Sequence, residues 1–191
     1  EKIIITPNWV SSNIENKEII DRKNEIITVG RLEKQKNYNY LIEEFSNSNI
    51  VINIVGEGSL KKDLKRLSQE KNTIVSFLEK MPNSELTLLL SNFKYFVLPS
   101  LFEGNPKVVL EAMAAGCIVV VNNFSGISEI VSNEIDGFII EAKKDNLKNL
   151  FNFLNDNDRV LKDISQNAIS KVKNNFSLDS YVESENNLYL N

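Results

Sequence analysis

Two glutamates, Glu103 and Glu111, are the residues whose type and spacing most clearly suggest chemistry. A pair of carboxyl groups can act as general acid and base, as in glycoside hydrolysis, or can accept hydrogen bonds from the hydroxyl groups of a sugar or a ribose. Glu111 lies among apolar residues, where an unpaired carboxylate would be costly. A loop-to-helix transition separates the two glutamates, so they need not face each other. We therefore interpret them as hydroxyl-binding residues.

The segment that contains both glutamates also predicts an anion site. LPSLFEGNPKVVLEAMAAGC (98–117) indicates a strand end, a turn and a helix that begins at Pro106 and ends at Gly116. Proline presets φ at a first helical position, and glycine accepts the left-handed conformation that closes a helix. The backbone N–H groups of Lys107 and Val108 would then point out of the helix start, where the macrodipole favours an anion such as phosphate.

Two cations, Arg31 and Lys36, follow the first predicted strand of the sheet. Arginine can hold a diphosphate through two parallel hydrogen bonds, and lysine adds a point charge. The alternative is a solvent-exposed loop, because Lys34 lies in the same stretch. The residues alone leave both interpretations open.

A glycine-containing turn, GEGSLK (56–61), follows the second predicted strand and precedes a helix. A dinucleotide-binding fingerprint would occupy this position, but it requires a third glycine where the sequence has Lys61. We therefore favour a tight structural turn over nicotinamide binding.

The composition excludes several kinds of site. The 191 residues include no histidine and one cysteine, Cys117, in an apolar run, so imidazole-based catalysis and disulfides are excluded and a buried thiol is expected. The 22 basic and 26 acidic residues are interspersed and give a net charge of −4, which does not indicate a nucleic-acid partner. The sequence shows no signal-peptide pattern and no apolar run long enough to span a bilayer, so we expect a cytoplasmic protein.

Short apolar runs alternate with amphipathic helical patterns along the chain, after a strand-like run at 2–6 and a polar loop at 11–24. This alternation predicts an α/β fold with a doubly wound, Rossmann-like six-stranded parallel sheet and helices on both faces. The strands are expected at 25–30, 50–55, 73–78, 95–98, 117–121 and 138–140.

The expected strand order is 3-2-1-4-5-6, which places the switch point between the first and fourth strands. Ligands bind such sheets at the carboxyl ends of the strands on either side of that point. Arg31 follows the first of these strands and Glu103 follows the fourth. We therefore expect the two polar loops to meet at the ligand-binding edge.

Three stretches resemble a known enzyme family. VGRLEKQKN (29–37), IVGEGSL (54–60) and VLPSLFEGNPKVVLEAMAAGCIVVV (97–121) resemble the carboxyl-terminal, donor-binding half of the retaining GT-B glycosyltransferases of family 4, the glycosyl transferases group 1. The resemblance spans residues 3–190. It implies transfer of a hexosyl or N-acetylhexosaminyl group from a UDP- or GDP-sugar to a glycan or lipid acceptor, in surface polysaccharide or glycoconjugate synthesis. No metal or other cofactor is required in that chemistry.

The resemblance also assigns roles to individual residues. It implies that Arg31 and Lys36 hold the donor diphosphate, that Glu103 binds the donor sugar and that Glu111 binds the ribose. Arg31, Lys36 and Glu103 are accordingly the expected catalytic residues, because catalysis depends on stabilising charge on the leaving group. The other expected donor-binding residues are Gly104, Asn105, Lys107 and Val108, whose backbone would surround the sugar and phosphate, and Lys80 and Met81 beside the base.

The resemblance further implies that this chain is one part of a larger enzyme. Residues 1–25 match the interdomain linker and first strand segment, 26–175 the nucleotide-sugar-binding domain, and 176–191 a helix that would cross back to an amino-terminal, acceptor-binding domain. We therefore expect little or no activity from this chain alone. The full-length protein could associate peripherally with the inner face of a membrane.

Four positions depart from the family pattern, namely Asn37, Glu79, Asn105 and Ser125. They bear on which donor is used more than on whether a donor binds. Two other function classes stay open: a non-catalytic or epimerase-type nucleotide-sugar-binding domain, and a nicotinamide-dependent dehydrogenase domain. Binding of NAD(H) would identify the latter.

Overall fold

A computed structural model of the protein describes residues 8–10 and 17–182. Six parallel strands form one sheet in the order β3-β2-β1-β4-β5-β6, which confirms the doubly wound fold and the expected strand order. The strand-like run at 2–6 lies outside the described residues. The strands are β1 (Lys23–Val29), β2 (Val51–Val55), β3 (Ile74–Leu78), β4 (Phe93–Leu98), β5 (Ile118–Asn122) and β6 (Phe138–Ile140).

Helices connect the strands and cover both faces of the sheet. A further helix begins at residue 178 and is described to residue 182; its start is capped by Ser177, whose Oγ accepts from the Ser180 N–H at 3.2 Å. The other helices are α1 (Tyr38–Glu44), α2 (Lys61–Glu70), α3 (Asn83–Leu90), α4 (Lys107–Ala114), α5 (Ile127–Ile130), α6 (Asn146–Asn155) and α7 (Asp158–Asn175). None of the helices in the described part of the chain combines the length and the apolar character that crossing a membrane requires.

Two hydrophobic clusters, one on each face of the sheet, form the core. Ile27 and Phe96 belong to one cluster, while Ile26 and Tyr95 belong to the other. Adjacent residues of a strand point to opposite faces, so a sheet that is covered on both sides buries consecutive apolar residues. This two-sided burial explains why the strands appear in the sequence as short continuous apolar runs.

The GEGS turn is a structural feature that brings the β1 and β2 loops together. A Cβ atom at Gly56 would lie 2.1 Å from the carbonyl oxygen of Gly30, and one at Gly58 would lie 2.6 Å from the backbone nitrogen of Leu32. The Leu32 N–H donates to the Glu57 carbonyl at 2.8 Å. These contacts require glycine for close backbone approach and agree with the structural interpretation of the turn.

The carboxyl-terminal end of α4 is closed by several hydrogen bonds. Gly116 has a φ of 71°, and the Cys117 N–H donates back to the Ala112 carbonyl at 3.0 Å, as in a Schellman motif. Arg22 is buried and donates to the Ala115 carbonyl at 2.7 Å. It lies in a bend between the short 3-10 helix Ile19–Asp21 and β1, within the stretch expected to be a polar loop, and it anchors this helix end. Burial raises the pKa of the Cys117 thiol to about 12.

Candidate functional site

The loops that follow β1 and β4 meet, as the strand order predicts. The Leu101 N–H donates to the Gln35 carbonyl at 2.9 Å, and the Gln35 side-chain amide donates to the Phe102 carbonyl at 2.7 Å. The ammonium of Lys36 lies 2.5 Å from Oε1 of Glu103. These contacts between residues distant in sequence fix the two loops against each other at the switch point.

The Lys36–Glu103 ion pair is largely shielded from water. The two side chains are 14% and 11% exposed. The Lys36 side chain packs against the backbone of Gly30, which directly follows β1. A Cβ atom added to Gly30 would lie only 2.8 Å from the Cε of Lys36. The pair therefore keeps a cation and a carboxylate together in a partly desolvated position, where charge-assisted hydrogen bonds are stronger than in water.

A first cleft of about 560 Å³ opens beside this pair, at the ends of β1, β2 and β3. Three of the expected donor-binding residues, Arg31, Lys80 and Met81, line it. Apolar side chains such as Val55 and Leu86 contribute to its walls. The first cleft thus combines an apolar interior with two cations, Arg31 and Lys80, and two carboxylates, Glu33 and Glu57. Such a lining can hold a ligand that has both an apolar part and polar groups.

A second cleft, of about 680 Å³, lies on the other side of the pair. Glu103, Gly104 and Asn105 line it together with Phe124 and Gly126. A Cβ atom at Gly104 would have no neighbour within 4 Å, so the loop faces open space. Glu103 is therefore available to the second cleft while it is bonded to Lys36.

The start of α4 differs by one residue from the sequence expectation. The helix begins at Lys107, and Pro106 directly precedes it. The Lys107 N–H, which was expected to point toward an anion, donates to the Asn105 carbonyl at 2.9 Å. Val108, the other expected N–H donor, occupies the second position of the helix.

Glu111 has a partner that the sequence did not reveal. The side-chain amide of Asn83 donates to its Oε1 at 3.1 Å, and Asn83 lines the first cleft. Burial raises the pKa of the Glu111 carboxyl, while the nearby Lys107 opposes the shift. Asn83 was expected to mark the start of α3; the helix does begin there, but Pro82 occupies the cap position and no side chain caps it. An asparagine at the start of a helix gives no indication in the sequence that its side chain will bind Glu111.

The structure thus sorts the expected site residues into three groups. Arg31, Lys80 and Met81 line the first cleft, Glu111 touches it through Asn83, and the loop of Glu103 lines the second cleft, with Lys36 joining the two sides. The described residues include no cluster of three or more His, Cys, Asp or Glu side chains that could hold a metal ion.

Comparison with known sequences identifies related proteins. The family described as Glycosyl transferases group 1 matches residues 10–171. An Escherichia coli UDP-Gal:alpha-D-GlcNAc-diphosphoundecaprenol alpha-1,3-galactosyltransferase is 34% identical over 180 residues, which are 85% of this chain and 44% of the relative. A Campylobacter jejuni N-acetylgalactosaminyltransferase is 31% identical over 124 residues, which are 63% of this chain and 34% of the relative. Its name includes a diphospho-undecaprenol substrate. The chain spans less than half the length of either relative.

Solved structures share the fold. S. aureus TarM, in complex with fondaparinux, alpha-GlcNAc-glycerol and UDP, superposes with a TM-score of 0.83 at 23% identity and covers 99% of this chain and 40% of its own. Anabaena HepE with UDP and glucose gives a TM-score of 0.78 at 18% identity, over 90% of this chain and 49% of its own. At these identities the likeness concerns the fold.

Proposed function

The chain belongs to the group 1 glycosyltransferases, and we propose that it is the donor-binding part of a retaining, family 4 transferase that uses a nucleotide diphosphate sugar. The observation that carries this proposal is the Lys36–Glu103 pair, which joins the two switch-point loops. Glu103 lines the second cleft, and Lys36 packs against Gly30, which lines the first. A phosphate-binding cation and a hydroxyl-binding carboxylate are thereby adjacent, as the phosphate and the sugar are in a nucleotide sugar.

The diphosphate would lie between Arg31 and Lys36. Arg31 is exposed on the first cleft, and Lys36 is held by Glu103 on the same loop after β1. Each charge-assisted hydrogen bond to the leaving group contributes roughly 1.5–3 kcal/mol. Because Lys36 is already held by Glu103, it would act together with Arg31 to stabilise the charge that develops on the diphosphate as the glycosidic bond breaks.

The sugar and the nucleoside would occupy opposite clefts. Glu103 would accept hydrogen bonds from sugar hydroxyls on the side of Gly104 and Asn105, in the second cleft. The ribose would reach Glu111, whose carboxylate accepts a hydrogen bond from Asn83, and the base would lie against Lys80 and Met81 in the first cleft. UDP and GDP donors both remain candidates.

We further propose a lipid-linked or glycan acceptor, held by a separate acceptor-binding half. The E. coli relative is named for a GlcNAc-diphosphoundecaprenol acceptor and a galactosyl donor, which supports a hexosyl or N-acetylhexosaminyl transfer to a lipid-linked acceptor. Since this chain spans 44% of that relative, the transferase activity belongs to the whole protein, and the chain alone would bind donor with little or no turnover.

Calorimetric titration of the folded chain with UDP-, GDP- and ADP-sugars tests the proposal. One of them should bind, and Arg31→Ala should weaken its binding by about 1.5–3 kcal/mol. Arg66→Ala is the matched control, because Arg66 is 71% exposed on α2 and pairs only with neighbours on its own helix among the described residues. Lack of binding to all three donors, or binding of NAD(H) instead, would reject donor binding; equal effects of the two substitutions would reject the role of Arg31.

A further inference from the structure

Lys107 lies beside the one tryptophan of the chain. Its ammonium is 5.4 Å from the centroid of the Trp9 ring, within the range of a cation–π interaction. Both side chains are exposed, and Lys107 forms no ion pair with a carboxylate in the described ranges. The ammonium therefore contacts an aromatic face and no carboxylate within ion-pair distance among the described residues.

The segment of Trp9 is tied to the loop of the second cleft. The Asn8 side-chain amide donates to the Asn105 carbonyl at 3.4 Å, and the Val10 N–H donates to the Phe176 carbonyl at 2.9 Å. Val10 is buried in the core. Trp9 is thus fixed on both sides, by one bond to the loop before α4 and one bond to the end of α7.

The position of Lys107 places its charge near the expected phosphate. Side chains of a helix lean toward its amino-terminal end, and Lys107 is the first residue of α4. Its side chain therefore leans toward the 103–106 loop, at the end of the helix that would meet the diphosphate. Lys107 also lies close enough to Glu111 to oppose the rise that burial causes in the pKa of that carboxyl, so its charge is near the residue proposed to bind the ribose.

We propose that the Lys107 side chain is a further ligand of the donor diphosphate, which contacts the Trp9 ring in this structure and moves to the phosphate when the donor binds. This inference rests on the proposed function and concerns a side chain at a position for which sequence reasoning considered only the backbone. An exposed cation–π contact is weaker than a charge-assisted hydrogen bond to phosphate. When the donor binds, the Lys107 ammonium therefore leaves the Trp9 ring and forms a hydrogen bond to the phosphate.

The emission of Trp9 reports the exchange directly, because the chain has a single tryptophan. UDP and GDP are titrated into the 191-residue chain, with affinity measured by calorimetry and emission recorded in parallel. We expect the emission to change as the site saturates. Lys107→Met should weaken binding about tenfold and abolish the emission change. Lys65→Met is the control: it removes a lysine of α2 whose ammonium lies 5.8 Å from the centroid of the Phe77 ring of β3, and it should alter neither the affinity nor the emission change.

Substitution of Trp9 distinguishes two roles of its ring: competing with the phosphate for Lys107, or holding Lys107 in position for the phosphate. Trp9→Leu should strengthen binding about two- to fivefold, because Lys107 no longer leaves an aromatic partner. Trp9→Phe keeps an aromatic face and should bind as the wild type does. In the Lys107→Met background, Trp9→Leu should have no effect on affinity.

Three results would overturn the inference while leaving donor binding intact: nucleotide binding with unchanged emission, wild-type affinity of Lys107→Met, or weaker binding of Trp9→Leu. Absence of binding of either nucleotide to the folded wild-type chain would instead reject the proposed function, and this inference with it.

Discussion

The two ends of helix α4 differ in how their surroundings are filled. At the carboxyl-terminal end, a Cβ atom added to Gly116 would lie 2.9 Å from Nη2 of Arg22 and 3.1 Å from Oγ of Ser165. At the amino-terminal end, a Cβ atom added to Gly104 would meet nothing within 4 Å. One end is closed by protein atoms, and the other faces open space.

This difference shows how one helix can serve both stability and binding. The hydrogen bonds from Arg22 and Ser165 to the Ala115 and Gly116 carbonyls hold the closed end in place. The open end can then leave room for a ligand without losing its position. Substitutions at the closed end should change the free energy of unfolding, whereas substitutions at the open end should change affinity for the donor.

The largest effect is expected from Arg22→Met. It removes the donor to the Ala115 carbonyl and two hydrogen bonds to the Lys17 carbonyl, at 3.0 and 2.7 Å. Hydrogen bonds from a charged donor contribute roughly 1.5–3 kcal/mol each, offset by the cost of burying the charge, so we expect a loss of about 3 kcal/mol in urea unfolding. Arg66→Met should cost less than about 0.5 kcal/mol. Equal losses in the two variants would show that the closed end contributes no special stability.

Gly116→Ala should follow, with a loss of about 2 kcal/mol. The residue has a φ of 71°, which costs an alanine about 1–2 kcal/mol, and the new methyl group would also press on Arg22. Gly126→Ala is the comparison, since Gly126 has a φ of 87° but open space around its Cβ position. In thermal unfolding, Gly116→Ala should have a lower Tm than Gly126→Ala. The reverse order would show that the surroundings of Gly116 are not crowded enough to destabilise the variant.

Glu111→Gln should act on binding and lower UDP affinity about tenfold in calorimetry, because an amide accepts more weakly from ribose hydroxyls than a carboxylate. The same substitution should not lower the free energy of unfolding at neutral pH, and above the ordinary pKa of a glutamate it should raise it relative to the wild type. The pKa of Glu111 is raised in the fold, so the folded chain binds more protons than the unfolded chain between the ordinary and the raised pKa. Wild-type stability should fall as pH rises through that window, relative to Glu111→Gln.

The exposed Glu70→Gln on α2 is the control for this variant and should leave both affinity and the pH profile unchanged. A loss of neutral-pH stability in Glu111→Gln without a loss of affinity would assign Glu111 to the structure rather than to the ligand.

Gly104→Ala should have the smallest effect on stability, within about 0.5 kcal/mol in urea, because the added methyl group meets no protein atom. The same methyl group would occupy space at the loop of the second cleft, so affinity for the nucleotide sugar should fall severalfold while affinity for the free nucleotide changes less. Destabilisation as large as that of Gly116→Ala would remove the contrast between the two ends.

The sequence was sufficient for the order of the strands and for the closed cap at Gly116, because both depend on local patterns and on rules of parallel sheets. It was not sufficient for Arg22, Asn83 or Trp9. Each of these residues acts through a partner far along the chain, at Ala115, Glu111 and Lys107 respectively. A polar residue in a loop carries no local sign of which distant group it will meet, so this part of the site required coordinates.

The same limit explains the start of α4. Proline at 106 correctly indicated where the helix begins, to within one residue. The turn of the Lys107 N–H toward Asn105 depends on the loop conformation, which propensity does not determine.

The strand order also has a consequence for synthesis. β1 ends at Val29, but its neighbour β4 begins only at Phe93. While the chain emerges from the ribosome, β1, β2 and β3 can assemble first, and the apolar edge of β1 then stays unpaired until β4 arrives. An unpaired edge can pair with another chain. Between the emergence of Val29 and that of Leu98, the edge of β1 is therefore open to pairing with another chain, and pairing with β4 closes that edge.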